Sequence, residues 1–389
     1  MINNNKLIFF IAAFDPTGYK LTRFLAANKK IQFMLNVLTT INYKVVLICS
    51  TPNLKVKNPI RVVDMELENK TIIKAVIPAS KVDTIKWNMV LNILQIPSIL
   101  KFAVNNFGQP NAVWTYNAYI FEMISARYLS KKYNSYTILE FEDWHFSRGV
   151  NIKSILDWFY WQKALKYINF SFCVNQFLQN KLKKFGIRNE LLPGTVDEEI
   201  VFKGAQKNPF SCKNNIVKCG YFGGLTKDKG ADFLIQLINK SIDQNLSIRW
   251  YITGNGPFKT KIEYLSKNNP NLVKYLGVVS DSELAEIISN TDIALNPHIK
   301  MNGVFPFKLI EYAASGRLIL SSDILFPSQY NWIQKAILFE ILDIEKWLSI
   351  ILKSSNIFKE KKKNIDYAKK RISVEFSKSE IRNKILKLL

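Results

Sequence analysis

Short apolar runs alternate along this chain with longer segments whose apolar positions recur at helical spacing. A short apolar run between turn residues is typical of a buried strand, and a repeat of about 3.6 residues is typical of a helix. In the first half, the apolar runs predict strands at Lys6–Phe14, Lys44–Ser50, Ala112–Tyr116, Tyr136–Phe141, Phe170–Val174 and Glu190–Leu192. The helical repeats predict helices at Lys30–Asn42, Asn88–Asn105, Ile120–Lys132, Leu156–Tyr167 and Gln176–Phe185. Such alternation indicates a parallel sheet covered by helices.

The segment Val201–Asn215 interrupts this alternation. It is polar and has no clear period, so we interpret it as a linker between two domains. Beyond it the pattern predicts strands at Asn215–Tyr221, Ser247–Thr253, Val273–Leu276 and Ile293–Leu295, and helices at Ala231–Gln244, Phe258–Lys267 and Asp281–Asn290. Two similar halves predict an α/β fold of two Rossmann-like domains facing a cleft. Ligands in such folds bind at the carboxyl ends of the strands.

Charge and composition narrow the classes of partner. The chain has 389 residues and a net charge of +23, which predicts an acidic partner such as a phosphorylated substrate, an anionic lipid or nucleic acid. A lysine-rich composition without functional meaning explains the same charge. No zinc-finger, helix-turn-helix or RNP pattern is found, so we do not expect a nucleic-acid partner. The apolar run near the N-terminus is too short to span a membrane.

The four cysteines and two histidines do not predict a metal site. Cys212 and Cys219 lack CxxC spacing, and Cys49 and Cys173 are isolated, so we expect buried thiols in a reducing cytoplasm.

Three glycine-containing segments in the second half are candidates for phosphate binding. Gly223 and Gly224 follow a predicted strand, with Lys229 shortly before a helix, and backbone amides beside a lysine suit a pyrophosphate. The second segment is the turn GNGP, which begins at Gly254 and on its own is more often an ordinary turn. The third is NGVFPFKLIEYAASGRLILSS, where Lys308 and Glu311 fall on one helix face.

The order of these segments resembles a known family. The succession GYFGG, KG, ITGNGP, YLGVVSDSEL, TDIALNPH and FPFKLIEYAASGRLI is similar to the donor-binding domain of retaining glycosyltransferase family 4, which has the GT-B fold. The resemblance is strong over Asn215–Asp323 and weaker over Lys6–Asp197, where LLPGTVDEE looks like the family's inter-domain stretch. It implies an N-terminal acceptor domain at 1–200, joined by about 370–389, and a nucleotide-sugar domain at 201–369.

The resemblance also implies roles for particular residues. Glu311 matches the glutamate that binds the ribose, and Lys229 matches the lysine that pairs with the diphosphate. Lys308 falls where an FPxK-type subgroup has a further basic residue near the phosphates, and the neighbouring Phe307 and Leu309 belong to the same donor-binding motif. No cofactor or metal is implied beyond a UDP- or GDP-linked sugar.

Two positions depart from the family pattern. Gly303 stands where the longer motif has its first glutamate, near the donor sugar, and Gly224 stands where the glycine loop has an arginine. These departures indicate either a distinct subgroup or a weakened enzyme.

Further candidates lie at strand ends. In LEFEDWHF, alternation places Glu140 and Glu142 on one face, and this strand end either activates an acceptor or is simply capped by solvated acids. The resemblance favours a catalytic role for Asp143 or His145. It also places Gly18 near the diphosphate and makes His298 a donor contact, although His298 is equally explained as a loop residue.

We therefore expect a cytoplasmic enzyme that transfers a sugar, with retention, from a nucleotide sugar to an acceptor hydroxyl. Charge and family habit favour a lipid-linked oligosaccharide acceptor at the inner face of the membrane, as in bacterial surface polysaccharide or lipopolysaccharide assembly. The basic tail Lys353–Leu389, with twelve Lys or Arg and four Asp or Glu, is either a packing helix or a membrane-surface contact. The competing interpretations are a GT-B-like binding protein without turnover and a binder of anionic lipid or nucleic acid.

Overall fold

The structure is a computed structural model. It describes residues 6–16, 25–41, 43–50, 59–79, 85–144, 152–192, 194, 196, 198–211, 216–299, 306, 308–324 and 327–388. The chain divides into two compact units, the first formed by Met1–Pro193 with Ile385–Leu389, and the second by Gly194–Lys384.

The first unit is built on a sheet that has eight strands within the described residues. The strands are β1 Leu7–Ala12, β2 Lys44–Cys49, β3 Arg61–Glu66, β4 Ile72–Ile77, β5 Ala112–Tyr116, β6 Tyr136–Phe141, β7 Phe170–Cys173 and β8 Arg188–Leu191. Their order is β3-β4-β2-β1-β5-β6-β7-β8, and every pairing is parallel except the antiparallel hairpin of β3 and β4. Every residue of β1 is buried, as expected of a parallel strand covered on both faces.

Five helices accompany this sheet in the described part of the first unit. They are α1 Leu25–Thr39, α2 Ile85–Phe107, α3 Ile120–Tyr133, α4 Ile152–Ala164 and α5 Gln176–Lys183, with a 3-10 turn at Leu165–Tyr167. Apolar residues of α2, including Ile96, Ile99 and Leu100, pack with Phe9 and Val46 of the central strands in one core cluster. The core therefore lies between the sheet and its helices, and the carboxyl ends of β1, β5 and β6 share one edge.

The second unit contains a parallel sheet of six described strands. They are β9 Val217–Phe222, β10 Ile248–Thr253, β11 Val273–Tyr275, β12 Ile293–Asn296, β13 Leu318–Ser321 and β14 Ile337–Phe339, in the order β11-β10-β9-β12-β13-β14. Its helices within the described residues are α6 Glu198–Gln206, α7 Ala231–Asp243, α8 Lys259–Asn268, α9 Asp281–Ser289, α10 Lys308–Ala314, α11 Asn331–Gln334, α12 Ile344–Leu352 and α13 Ser354–Glu375. The helix α14 Lys378–Leu388 follows. The predicted α/β class and parallel sheets are confirmed.

The predicted linker at Val201–Asn215 is wrong in its first part, because Glu198–Gln206 forms α6. The cause is a buried arginine that polar patterning does not reveal. Arg317 is 1% exposed, and its guanidinium donates to the carbonyl oxygen of Gly204 at 2.9 Å and to those of Ser289 and Thr291. The position of Gly204 also lies against the backbone of Ser315, where a Cβ atom would approach an oxygen at 2.5 Å. Backbone contacts thus hold a polar segment as a packed helix.

The basic tail forms α13 and α14. Ile372, Phe376, Ile381 and Ile385 are at most 2% exposed, whereas Val374 is 63% exposed. Most of the apolar positions of the tail therefore pack inward, as expected of packing helices with a solvated basic face.

Candidate functional site

The loop after β9 packs its backbone directly against the turn after β10. Gly223 has a φ of 142°, and a Cβ atom on Gly254, whose φ is 119°, would lie 1.8 Å from the carbonyl oxygen of Gly223. The amide of Leu225 donates to the carbonyl oxygen of Asn255 at 2.9 Å. Only glycine allows both this backbone conformation and this approach. The GG loop and the GNGP turn therefore form one backbone surface at the carboxyl ends of two adjacent strands.

The start of α7 packs against the loop that follows β12. A Cβ atom on Gly230, whose φ is 74°, would lie 1.8 Å from the carbonyl oxygen of Pro297. The backbone amide of Ile299 donates a hydrogen bond to the carbonyl oxygen of Asp228 at 2.9 Å. The predicted KG and NPH motifs are thereby brought together.

Lys229 lies over the glycine loop. Its Nζ would be 3.0 Å from a Cβ atom on Gly224, so the missing side chain of Gly224 leaves the space that the lysine crosses. Tyr221 anchors the backbone of this loop. Its hydroxyl donates a hydrogen bond to the carbonyl oxygen of Gly224 at 2.8 Å and lies 3.2 Å from the carbonyl oxygen of Lys229. The glycine at this position is thus compatible with an ordered lysine beside the loop.

Lys308, the first residue of α10, reaches the same place. Its Nζ lies 4.2 Å from the centroid of the Tyr221 ring, is inaccessible to solvent and has no hydrogen-bond partner among the described residues. The pKa of Lys308 is lowered to about 7, mainly by burial and also by the nearby charge of Lys229, while Glu311 acts in the opposite direction. Two lysines thus converge near the glycine loop, and Glu311 is the one acidic residue of the described chain whose charge acts on Lys308.

His298 lies in this cluster. It is 5% exposed, and its Nδ1 is 2.9 Å from the carbonyl oxygen of Ile299. Burial lowers the pKa of His298, the Ile299 carbonyl raises it, and Lys308 and Lys229 lower it further. Burial and the two neighbouring lysines therefore favour the neutral form of the imidazole.

The helix α10 is anchored by its apolar face. Leu309 is fully buried, and the hydroxyl of Tyr312 lies 3.2 Å from both the amide nitrogen and the carbonyl oxygen of Phe222 at the end of β9. Glu311 is partly exposed and close enough to Lys308 to act on its pKa, in agreement with the predicted shared face. The structure brings together Gly223, Gly224, Lys229, Gly254, His298, Lys308, Leu309 and Glu311.

Three candidate site residues and one of the two departures from the family pattern lie outside the described residues. They are Gly18, His145, Gly303 and Phe307.

The strand end in the first unit holds a buried charge cluster. Nζ of Lys30, on α1, lies 3.2 Å from a carboxylate oxygen of Glu140 and also forms an ion pair with Glu142. Trp114 donates to the other oxygen of Glu140 at 3.0 Å. The two glutamates share one side, as alternation predicts, but they meet a lysine rather than solvent, so the interpretation as solvated acids is wrong.

One cation faces two carboxylates in this cluster. Burial lowers the pKa of Lys30, but the attraction of Glu142 and Glu140 outweighs it, and the pKa is raised. The pKa of Glu142 is raised to about 7, mainly by burial, while Lys30 opposes the rise and repulsion from Glu140 and Asp143 adds to it. Glu142 therefore keeps its proton to a higher pH than an ordinary carboxyl group, while Lys30 stays charged.

Asp143 follows this cluster and is partly exposed. Its backbone amide lies 3.4 Å from Oδ1 of Asn117, a residue with a φ of 69° that follows β5. The amide of Asn117 in turn donates to the carbonyl oxygen of Glu140 at 2.7 Å. The position of Asp143 is therefore set by two adjacent strand ends.

Sequence reasoning missed Lys30, Tyr221 and Arg317. Lys30 resembles any lysine near a helix start, and Tyr221 any aromatic residue of a buried strand, so neither carried a signal. Arg317 directly precedes the apolar strand in the SGRLI segment, and this position was the only sequence signal that the arginine is buried.

No group of three or more His, Cys, Asp or Glu side chains is arranged to hold a metal ion within the described residues. Among the helices of the described chain, none is long and apolar enough to cross a membrane.

Comparisons with known proteins agree with this architecture. A family model described as "Glycosyl transferases group 1" matches residues 217–354. Among curated proteins, the phosphatidylinositol N-acetylglucosaminyltransferase gpi3 subunit of Schizosaccharomyces pombe is 22% identical over 168 residues. That match covers 42% of this chain and 36% of the relative, so it spans little more than a third of the relative's length.

Solved structures are similar over nearly the whole chain. Sucrose-phosphate synthase from Thermosynechococcus elongatus has a TM-score of 0.71 at 13% identity, with 98% of both chains covered. A glycosyltransferase from Rickettsia africae has a TM-score of 0.68 at 17% identity, covering 99% of this chain and 98% of its own. HepE from Anabaena, solved in complex with UDP, has a TM-score of 0.65 at 12% identity, and the match covers 98% of this chain and 99% of HepE. The chain therefore has the GT-B fold, residues 217–354 match the group 1 glycosyl transferases, and together these findings support a GT-B glycosyltransferase.

Proposed function

We propose that this protein is a glycosyltransferase that moves a sugar from a nucleoside-diphosphate sugar to an acceptor hydroxyl. The observation that carries the proposal is the inaccessible ammonium group of Lys308, which has no hydrogen-bond partner among the described residues and lies near Lys229. A buried cation without a partner is costly, and a diphosphate would supply both charge and hydrogen-bond acceptors. UDP is the ligand in the structure of HepE, which makes UDP the first nucleotide to test.

Each residue of the cluster has a proposed role toward the donor. Lys308 and Lys229 bind the diphosphate, and the backbone at Gly223, Gly224 and Gly254 leaves room for it. Negative charge grows on the diphosphate as the sugar departs, so two fixed cations stabilise the transition state more than the ground state. Glu311 accepts hydrogen bonds from the ribose, while Phe307, Leu309 and His298 complete the donor site.

The finer assignments extend this proposal. We place the protein in the retaining family 4, FPxK type, with Asp143 or His145 near the acceptor and Gly18 near the diphosphate. The acceptor is a lipid-linked oligosaccharide of bacterial surface polysaccharide or lipopolysaccharide assembly, at the cytoplasmic face of the membrane. The excess of basic residues supports an anionic acceptor environment.

A screen of nucleotide sugars tests the donor assignment. UDP-, GDP-, dTDP- and ADP-linked hexoses are each added to the purified protein, and one is expected to raise its Tm, since a ligand at a hundredfold its Kd stabilises by about 2.7 kcal/mol. Glu311→Ala is expected to abolish the rise, while the matched control Glu345→Ala, an exposed residue of α12 in the same unit, leaves it unchanged. Absence of any rise, or equal effects of the two variants, would contradict the donor site.

Turnover separates the enzyme from a GT-B-like binding protein. Gly303 and Gly224 are the departures that favour the latter. Donor binding without transfer or hydrolysis of the sugar would establish the binding protein, whereas a product whose anomeric configuration matches that of the donor by NMR would establish the retaining enzyme.

A further inference from the structure

The outward face of α4 is unusually apolar for a solvent-facing helix. Ile155, Leu156, Trp158 and Phe159 are 54%, 42%, 50% and 42% exposed. Adjacent exposed side chains of this size are uncommon on soluble proteins and mark surfaces that contact a partner. We call these four residues the α4 apolar face.

The acidic residue of the same helix, Asp157, lies on its inward face and not on the exposed one. Asp157 is 1% exposed and accepts a hydrogen bond from the amide of Ile120 at 3.0 Å, while Trp161 and Ala164 are buried beside it. Asp157 is the one acidic residue between Ile152 and Arg188, and that stretch has seven basic residues. The exposed surface of this stretch is therefore apolar and basic.

The basic residues border the α4 apolar face. Nζ of Lys163 lies 3.9 Å from the centroid of the Phe159 ring. Lys163 and Lys166 line a cavity of about 500 Å³ together with Arg127 and Phe185, and the Phe185 side chain is itself 46% exposed. Long basic side chains beside exposed aromatic rings can place apolar stems at the acyl boundary and charges at the headgroups.

We propose that the α4 apolar face and its bordering lysines dock this protein onto a bilayer surface rich in anionic phospholipid. Trp and Phe favour the membrane interface, and neighbouring lysines are attracted to anionic headgroups. The basic tail differs, because its exposed large apolar residues within the described chain, Tyr367, Val374 and Leu386, are seven or more positions apart in the sequence, whereas the four of α4 fall within five consecutive residues. The proposal does not depend on the donor chemistry, and it stands even where the donor screen fails.

Vesicle sedimentation tests the docking surface. The full-length protein is mixed with phosphatidylcholine vesicles, with or without phosphatidylglycerol, and we expect binding only where phosphatidylglycerol is present. The double variant W158S/F159S is expected to weaken that binding about tenfold or more. The matched control is F202S/Y264S, which removes two other exposed aromatic residues, 62% and 66% exposed, from the second unit.

A charge comparison makes the test specific. K163Q/K166Q is expected to weaken binding about tenfold and to reduce its salt dependence, whereas K362Q/K363Q in α13 is expected to leave both unchanged.

Circular dichroism and Tm establish that each variant is folded. Lack of binding to phosphatidylglycerol vesicles, or equal losses in variant and control, would overturn the proposal. So would light scattering that shows a dimer of the wild type disrupted by W158S/F159S, since the face would then bind a second copy.

Discussion

The ammonium groups of Lys30 in the first unit and Lys308 in the second are both shielded from solvent, and they differ in what compensates their charge. Lys30 meets two carboxylates, and their attraction raises its pKa despite burial. Lys308 has no hydrogen-bond partner among the described residues, and burial with the nearby Lys229 lowers its pKa to about 7.

The difference separates a structural cation from a binding cation. A buried charge with its own counter-charge is satisfied by the fold, and removing it harms the fold. A buried charge that lacks one is sustained only where another task favours it, and perturbed pKa values of this kind cluster at functional sites. The ion pairs of Lys30 therefore hold the strand end, and the contrast supports the proposal that Lys308 binds a ligand.

The largest expected effect is on stability, from Lys30→Met. The substitution leaves Glu140 and Glu142 buried without their cation, which costs about 3–5 kcal/mol of unfolding free energy. Denaturant unfolding measures the loss. The triple variant K30M/E140Q/E142Q, in which no charge remains to be compensated, is expected to recover part of it. A loss below about 1 kcal/mol would mean that the cluster is not a structural ion pair.

The second effect is on binding, from Lys308→Met. Loss of a charge-assisted contact to a diphosphate costs about 1.5–3 kcal/mol, or roughly 10- to 100-fold in Kd by calorimetry. The Tm without ligand is expected to be unchanged or higher, because methionine fills the space without a desolvated charge. Lys240→Met, which removes an exposed lysine paired with Glu345, is the control for binding. A large fall in Tm with unaltered Kd would reverse the assignments of the two lysines.

Two glycines of the second unit are required for different reasons: Gly230 for its backbone conformation and close backbone contact, and Gly224 for the space that the Lys229 side chain occupies. Gly230→Ala places a Cβ atom 1.8 Å from the Pro297 carbonyl oxygen at a φ of 74°, and a cost of about 1–3 kcal/mol in unfolding free energy is expected. Gly224→Ala meets only the flexible end of Lys229 at 3.0 Å. It is expected to change stability by less than about 0.5 kcal/mol while displacing Lys229 and weakening nucleotide binding. Equal stability losses would show that the loop, and not the lysine, requires Gly224.

The smallest effect is a pH dependence from Glu142. Its folded pKa of about 7 lies above the ordinary 4.5, so the folded state binds more protons between these values and stability falls as pH rises through that window. The raised pKa of Lys30 acts above its ordinary 10.5 and does not overlap. Glu142→Gln is expected to flatten a slope of about 1 kcal/mol per pH unit in chemical unfolding. An unchanged slope would show that Glu142 titrates normally.

The sequence predicted the sheet of the first unit well where strands are continuous apolar runs, as in Ala112–Tyr116 and Tyr136–Phe141. It missed the hairpin of β3 and β4, whose residues are partly exposed and carry charges such as Asp64 and Lys74. The glycine loops and Lys308 were found because motifs fix their place in the chain. The partners of Glu140 and Gly204 could not be predicted, because they are distant in sequence. Lys30 lies 110 positions from Glu140, and Arg317 lies 113 positions from Gly204.

Proton uptake on donor binding tests the assignment of Lys308 most directly. The nucleotide sugar that stabilises the protein most is titrated by calorimetry in buffers of different ionisation enthalpy, at several pH values between 6 and 8. Because a bound diphosphate raises a pKa that is about 7 in the free protein, uptake approaching about one proton is expected near pH 8 and less near pH 6. Lys308→Met is expected to abolish this uptake. Binding without proton uptake, or the same uptake in the variant, would contradict the role of Lys308.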